Sequence, residues 1–124
     1  CKASLELKTG ALISFAIAAG GLMANASERR LQALEEFGMN FGSALQMFDD
    51  IGNLSLPESD PKHWEDLKLR RPTWVWAAIA EQCTDAEYQG FKNCVAQIPD
   101  KKPVLDWLER TNAIRRARQS AELY

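Results

Sequence analysis

The chain has 124 residues, 46% hydrophobic and 26% charged, with a formal net charge of -2. These values suit one modest packed domain and exclude wholesale disorder. The slight acidity argues against a broadly cationic surface, so no nucleic-acid partner is expected.

Residues 1–26 read as one helix, bent or closely packed at Gly20-Gly21. No residue from Thr9 to Ser27 is charged, a length approaching a bilayer span. The run is rich in alanine and glycine and carries polar Thr9, Ser14 and Asn25. A buried helix of a protein that is not integral to a membrane is therefore expected, with neighbours on all sides. Ser27 can cap a second helix, with Glu28 in its first turn, running to about residue 53. The stretch "NLSLPESDPKHWEDLKLRR" then reads as a loop. "PTWVWAAIAEQC" follows as a short buried helix with Pro72 near its start. "TDAE" at 84–87 has the form of a capping box and opens a helix to about Val95 or Ile98. "IPDKKP" breaks the chain, and residues 104–124 read as a last helix with a basic middle and no C-cap glycine. Period-two alternation is almost absent, so the fold class is all-α. Cys1, Cys83 and Cys94 form no C-x-x-C pair and no zinc spacing. Free thiols in a reducing, cytoplasmic setting are the simplest reading.

The second helix carries the chemistry. On a helical wheel Leu34, Phe37, Phe41, Leu45 and Phe48 form one apolar arc. Gly38, Gly42, Gln46, Asp49 and Asn53 form the adjacent arc, with Asp50 at its edge. Two glycines within a helix cost about 1 kcal/mol each relative to alanine. One reading is a glycine-floored groove for an elongated apolar molecule, closed by carboxylates that reach an anionic head through divalent cations. The other reading is that the glycines are helix-packing contacts and that the aspartates end the helix in solvent. Lys8, on a face with Leu5, Leu12, Phe15 and Ala19, either snorkels to water or holds an anion, with the Thr9 hydroxyl beside it. Lys68, Arg70 and Arg71 form either a solvated basic turn or a phosphate-screening cluster. His63, the single histidine, is assigned no role.

Taken in order, "LKTGAL" (Leu7–Leu12), "FGMNFGSALQMFDD" (Phe37–Asp50) and "EDLKLRRPT" (Glu65–Thr73) resemble the trans-type isoprenyl diphosphate synthases, the polyprenyl synthetase family. The ending "RTNAIRRARQSAELY" is similar to the family's late helix. The resemblance implies a helical bundle of the isoprenoid synthase type, with residues 1–124 a C-terminal portion of about five helices, inactive without the rest of the domain. It implies a prenyltransferase that joins an allylic prenyl diphosphate to isopentenyl diphosphate by ionisation, condensation and elimination, with Mg2+ as cofactor. It also implies a cytoplasmic homodimer. Carried over by position, Asp49 is implied as a direct metal ligand and Asp50 as its support through metal-bound water. Lys8 and Arg71 are implied to bind diphosphate, and Thr9 and Gln46 to face the developing cation with oxygen dipoles. Asp66 is implied to order the loop. Asn53 stands where the family has a third aspartate; its amide oxygen can bind Mg2+ but carries no charge. Leu45 stands where phenylalanine is common, and Arg70 where the pattern has glycine. Those departures keep two alternatives open: a relative that cyclises or hydrolyses a prenyl diphosphate, and a non-catalytic subunit of a heteromeric synthase.

Overall fold

The structure, a computed structural model, describes residue 3, residues 6–71 and residues 73–123. Pro72, expected near a helix start, and Cys1 lie outside the described residues. Cys83 and Cys94 are free thiols. A π-helical turn, Glu6–Gly10, opens the described chain. Seven α-helices follow: α1 (Ala11–Met23), α2 (Glu28–Ser55), α3 (Glu65–Lys68), α4 (Trp74–Gln82), α5 (Asp85–Val95), α6 (Lys102–Thr111) and α7 (Ala113–Ala121). No strand occurs among the described residues, so the all-α expectation is met. Two compact units divide the chain after Met47.

In the first unit, α1 packs against α2 at Leu31, Leu34, Glu35 and Gly38. The two helices are joined by a turn in which Asn25 takes a left-handed φ of 56°, a conformation asparagine tolerates better than most residues. The helices meet at glycines. A Cβ at Gly38 would lie 2.5 Å from Ser14 Cα, and one at Gly21 would lie 2.6 Å from Leu34 Cδ1. Ser14, the buried residue of α1, donates its hydroxyl to Glu35 O at 2.9 Å. The Gly20-Gly21 pair does not break the helix. Among the described residues α1 meets a neighbour on one face, and Leu12, Phe15, Leu22 and Met23 are exposed. By length and composition, Glu6–Met23 would suffice to cross a membrane, with mean hydropathy 1.2 and 17% of the stretch buried.

The second unit is built on large aromatics and small alanines. Trp64, Leu67, Trp74, Val75, Ile79, Phe91, Val104, Trp107 and Leu108 are all buried. The Phe91 ring meets Trp76 edge-on and Trp107 at a tilt, each at 5.0 Å between centroids; such pairs add roughly 0.5–1.5 kcal/mol beyond their area burial. Ala113, Ala117 and Ala121 recur every fourth residue on α7 and are buried. They leave room for α4, whose Trp74 Nε1 donates to Ala117 O at 3.1 Å. Thr84 and Glu87 form the expected capping box of α5, and the Thr84 hydrogen bonds hold the Glu87 carboxyl below its ordinary value of 4.5. The expected single last helix is instead two. Asn112, with φ 51°, ends α6 and starts α7; a left-handed residue stops one helix and re-aims the next without proline.

Arg70 also lies in the left-handed region, with φ 52°, directly after the short helix α3. At the position where the resemblance calls for glycine, the backbone therefore still adopts a glycine-like conformation. For an L-residue that conformation costs about 1–2 kcal/mol, partly offset because glycine adds freedom to the unfolded chain. Arg70→Gly is expected to raise stability by about 0.5 kcal/mol, read as a higher urea midpoint at an unchanged slope. A lower midpoint would mean that the exposed Arg70 side chain contributes more than its backbone costs.

Candidate active site

The first unit supplies Lys8, Thr9 and Gln46. Lys8 and Thr9 sit on the π-helical turn, a geometry often found at functional positions. The Lys8 side chain is exposed and Thr9 is half-buried. The Thr9 hydroxyl donates to Gln46 Oε1 at 2.7 Å across 37 residues of sequence. Two residues selected from separate motifs are thus brought into contact. With its proton directed at Gln46, the Thr9 oxygen has lone pairs left for another neighbour.

The glycine-floored groove is corrected by the packing. Gly38 and Gly42 are buried. Their missing side chains make room for α1 and the π-helical turn: a Cβ at Gly42 would lie 2.8 Å from both Gly10 Cα and Thr9 O. The packing reading of these glycines therefore holds. The open face of α2 is the apolar arc, where Phe37, Phe41, Leu45 and Phe48 are 57, 50, 49 and 39% exposed. Phe37 and Phe41 stack at 5.7 Å. It is the glycine arc, not the apolar one, that faces the neighbour.

The second unit supplies Asp49, Asp50, Asn53, Asp66 and Arg71. Asp49 is exposed near the C-terminal end of α2, while Asp50 is buried. Asp50 Oδ2 accepts the backbone N–H of Trp74 at 2.7 Å. It satisfies one of the orphan donors at the start of α4 and places negative charge at the positive end of that helix. The local cap residue Thr73 makes no side-chain cap bond, so the capping carboxylate comes from 24 residues earlier. Nothing in the sequence near Thr73 signals that.

Asn53 is tied to the following loop through its amide nitrogen. Its Nδ2 donates to Lys62 O at 2.8 Å, and Trp64 Nε1 donates to Leu54 O at 3.2 Å. The amide thus straps the loop back onto α2, and its Oδ1 is buried without a hydrogen-bond partner. A carboxylate could not donate to the Lys62 carbonyl and would repel it. Asn53→Asp is therefore expected to destabilise the loop by about 1–3 kcal/mol, measured as faster proteolysis between residues 56 and 64. Unchanged cleavage would remove the strap role.

Arg71 is exposed and lies 3.5 Å from Glu65 Oε1 and 3.6 Å from Asp66 Oδ1, while its N–H donates to Asp66 O at 2.9 Å. Asp66 therefore touches Arg71 through both backbone and side chain. The pairs are long and solvated, worth about 0–1 kcal/mol each, and leave the guanidinium able to engage another anion. Glu65, which the sequence reading passed over, is a second carboxylate partner of Arg71.

Among the described residues, no three His, Cys, Asp or Glu side chains gather into a group able to hold a metal. The donor set does not fit an all-protein cage. It does fit Mg2+ as that ion commonly binds, through one or two carboxylates together with substrate phosphates and water. Asp49, exposed on α2, is the carboxylate that the resemblance assigns to such an ion.

Comparison with known proteins places these residues in context. The profile of the family described as Polyprenyl synthetase matches residues 2–110. A geranylgeranyl diphosphate synthase of Sulfolobus acidocaldarius is 30% identical over 85 residues, covering 67% of this chain and 26% of that protein. A geranylgeranyl diphosphate synthase of Methanosarcina mazei is 37% identical over 54 residues, covering 44% of this chain and 17% of that protein. The matched stretch is thus about a quarter or less of either relative. No solved structure matches the chain.

Proposed function

Because this chain belongs to the polyprenyl synthetase family, we propose that the protein carrying it is a prenyltransferase. On this reading it condenses an allylic prenyl diphosphate with isopentenyl diphosphate in isoprenoid biosynthesis, with Mg2+ as cofactor. The observation that carries the proposal is the Thr9–Gln46 hydrogen bond, which joins the two motifs assigned to the developing cation.

In the proposed mechanism Lys8 and Arg71 bind diphosphate oxygens by charge-assisted hydrogen bonds. Asp49 would hold Mg2+. When bound, the ion supplies Lewis-acid stabilisation of the departing diphosphate charge. Thr9, its proton turned toward Gln46, offers oxygen lone pairs to the allylic carbon as positive charge develops, and the Gln46 amide keeps that hydroxyl oriented. The apolar arc of α2 presents hydrocarbon and aromatic surface to the prenyl chain and helps keep water from the cation. Asp66 holds Arg71 in register. In this proposal Asp50 and Asn53 act by fixing α4 and the loop. On the same reading the full-length protein is a cytoplasmic homodimer that is not integral to a membrane, and these 124 residues alone are inactive.

The test is incubation of the full-length protein with Mg2+, an allylic diphosphate and isopentenyl diphosphate. A longer diphosphate is the expected product. A free hydrocarbon or alcohol would replace condensation by cyclisation or hydrolysis. Turnover only after addition of a second synthase subunit would make the protein a regulatory partner.

A further inference from the structure

The proposed role of Thr9 requires its hydroxyl to be held at one place on α2, and the packing around the π-helical turn indicates how. Gly42 and Gln46 are one turn apart on the same face of α2. Both meet residue 9: Gln46 accepts its hydroxyl at 2.7 Å, and a Cβ at Gly42 would lie 2.8 Å from its carbonyl oxygen. That Cβ would also lie 2.8 Å from Gly10 Cα and 3.1 Å from Gly10 N. All three obstacles are backbone atoms, so no side chain can swing aside. On the other side of the contact, a Cβ at Gly10 would meet Met39 Sδ at 2.8 Å, Ser43 Oγ at 2.9 Å and Met39 O at 3.0 Å. Ser43 is fully buried, and its hydroxyl has no hydrogen-bond partner among the described residues. Residue 10 is therefore packed tightly against α2, by two side-chain atoms and one backbone atom.

We propose that Gly42, acting with Gly10, is a positioning residue for the transfer reaction: its missing side chain sets the depth at which the turn rests on α2, and so places the Thr9 hydroxyl against Gln46. The inference rests on the reading of Thr9 given above. An alanine at 42 must lift the turn by about half an ångström to restore ordinary contact. That is the tolerance within which a productive constellation must be held, and misplacements of about 1 Å can cost roughly 10²-fold in rate.

Gly38 provides the control. It lies one turn earlier, and a Cβ there would lie 2.5 Å from Ser14 Cα, so it contacts the regular part of α1 and not the π-helical turn. The experiment is a set of double-mutant cycles in the full-length protein with Thr9→Val, reading kcat and KM separately. Gly42→Ala is expected to lower kcat roughly 10- to 10²-fold with little change in KM, and the Gly42→Ala, Thr9→Val double variant to be no slower than Thr9→Val alone. Gly38→Ala is expected to lower stability while its effect on kcat multiplies with that of Thr9→Val. Multiplicative losses for Gly42→Ala and Thr9→Val overturn the proposal, as does an unchanged kcat in a folded Gly42→Ala protein. It is equally overturned if Gly38→Ala shows the same non-additivity. If Gly42→Ala does not fold, Gly10→Ala replaces it, since two of the three atoms its Cβ meets belong to side chains. An unchanged kcat there overturns the proposal, and non-additivity with Thr9→Val supports it. If Thr9→Val alone leaves kcat unchanged, the assigned role of Thr9 fails, and the positioning role falls with it; multiplicative losses leave Thr9's role intact and remove only Gly42's.

Discussion

Asp49→Ala in the full-length protein is expected to abolish most Mg2+-dependent turnover while leaving the fold intact. Asp49 is exposed on α2, so its truncation leaves no cavity, and surface substitutions of this kind usually shift stability by less than about 0.5 kcal/mol. Its proposed task is to share an ion with the diphosphate, and such ions supply several kcal/mol of charge stabilisation in a transition state. Losing about 3 kcal/mol of it corresponds to roughly 10²-fold in rate, at about 1.36 kcal/mol per tenfold. Raising Mg2+ should recover part of the rate if the lesion is weakened ion binding. Unchanged turnover at limiting Mg2+ would remove Asp49 from the metal site.

Its neighbour is expected to behave in the opposite way. Asp50→Ala strips the acceptor from the buried Trp74 N–H, leaving an orphan donor at a helix N-terminus. Hydrogen bonds to charged groups are worth about 1.5–3 kcal/mol, so a loss of that size in unfolding free energy is expected. Asp50→Asn retains an oxygen acceptor but no charge and is expected to lose about half as much, with turnover largely preserved. Chemical denaturation of the three proteins side by side checks the order. An Asp50→Asn protein that is fully stable but inactive would return Asp50 to the metal site and remove its structural role.

The two adjacent aspartates show what the sequence could and could not reveal. Helical periodicity was sufficient to place the arcs of α2, because i, i+4 spacing is a local property. The capping box at Thr84 was readable for the same reason. Which arc faced a neighbour was not readable, since that depends on α1 supplying a backbone close enough to need Gly38 and Gly42. The hydrogen bonds of Asp50 and Asn53 were unreadable for a related reason. Their partners, the Trp74 N–H and the Lys62 carbonyl, are main-chain groups that carry no residue signature. Thr9 and Gln46 were identified by motif resemblance, and their contact is a tertiary fact that no spacing rule supplies. The break at Asn112 was missed because "RTNAIRR" contains neither glycine nor proline, and asparagine marks a helix end only weakly.

The shortness of the last four helices has a consequence for how the molecule opens. α4, α5, α6 and α7 contain 9, 11, 10 and 9 residues, and helices below about 12–15 residues are marginal in water on their own. None has enough internal hydrogen bonds to persist once the Phe91–Trp107 and Trp74–Ala117 contacts separate. Their amides should therefore exchange with solvent deuterium as one cooperative block, at a common free energy, instead of fraying helix by helix. α2, with 28 residues, is long enough to keep transient turns after that block has melted, and its central amides should form a separate exchange class.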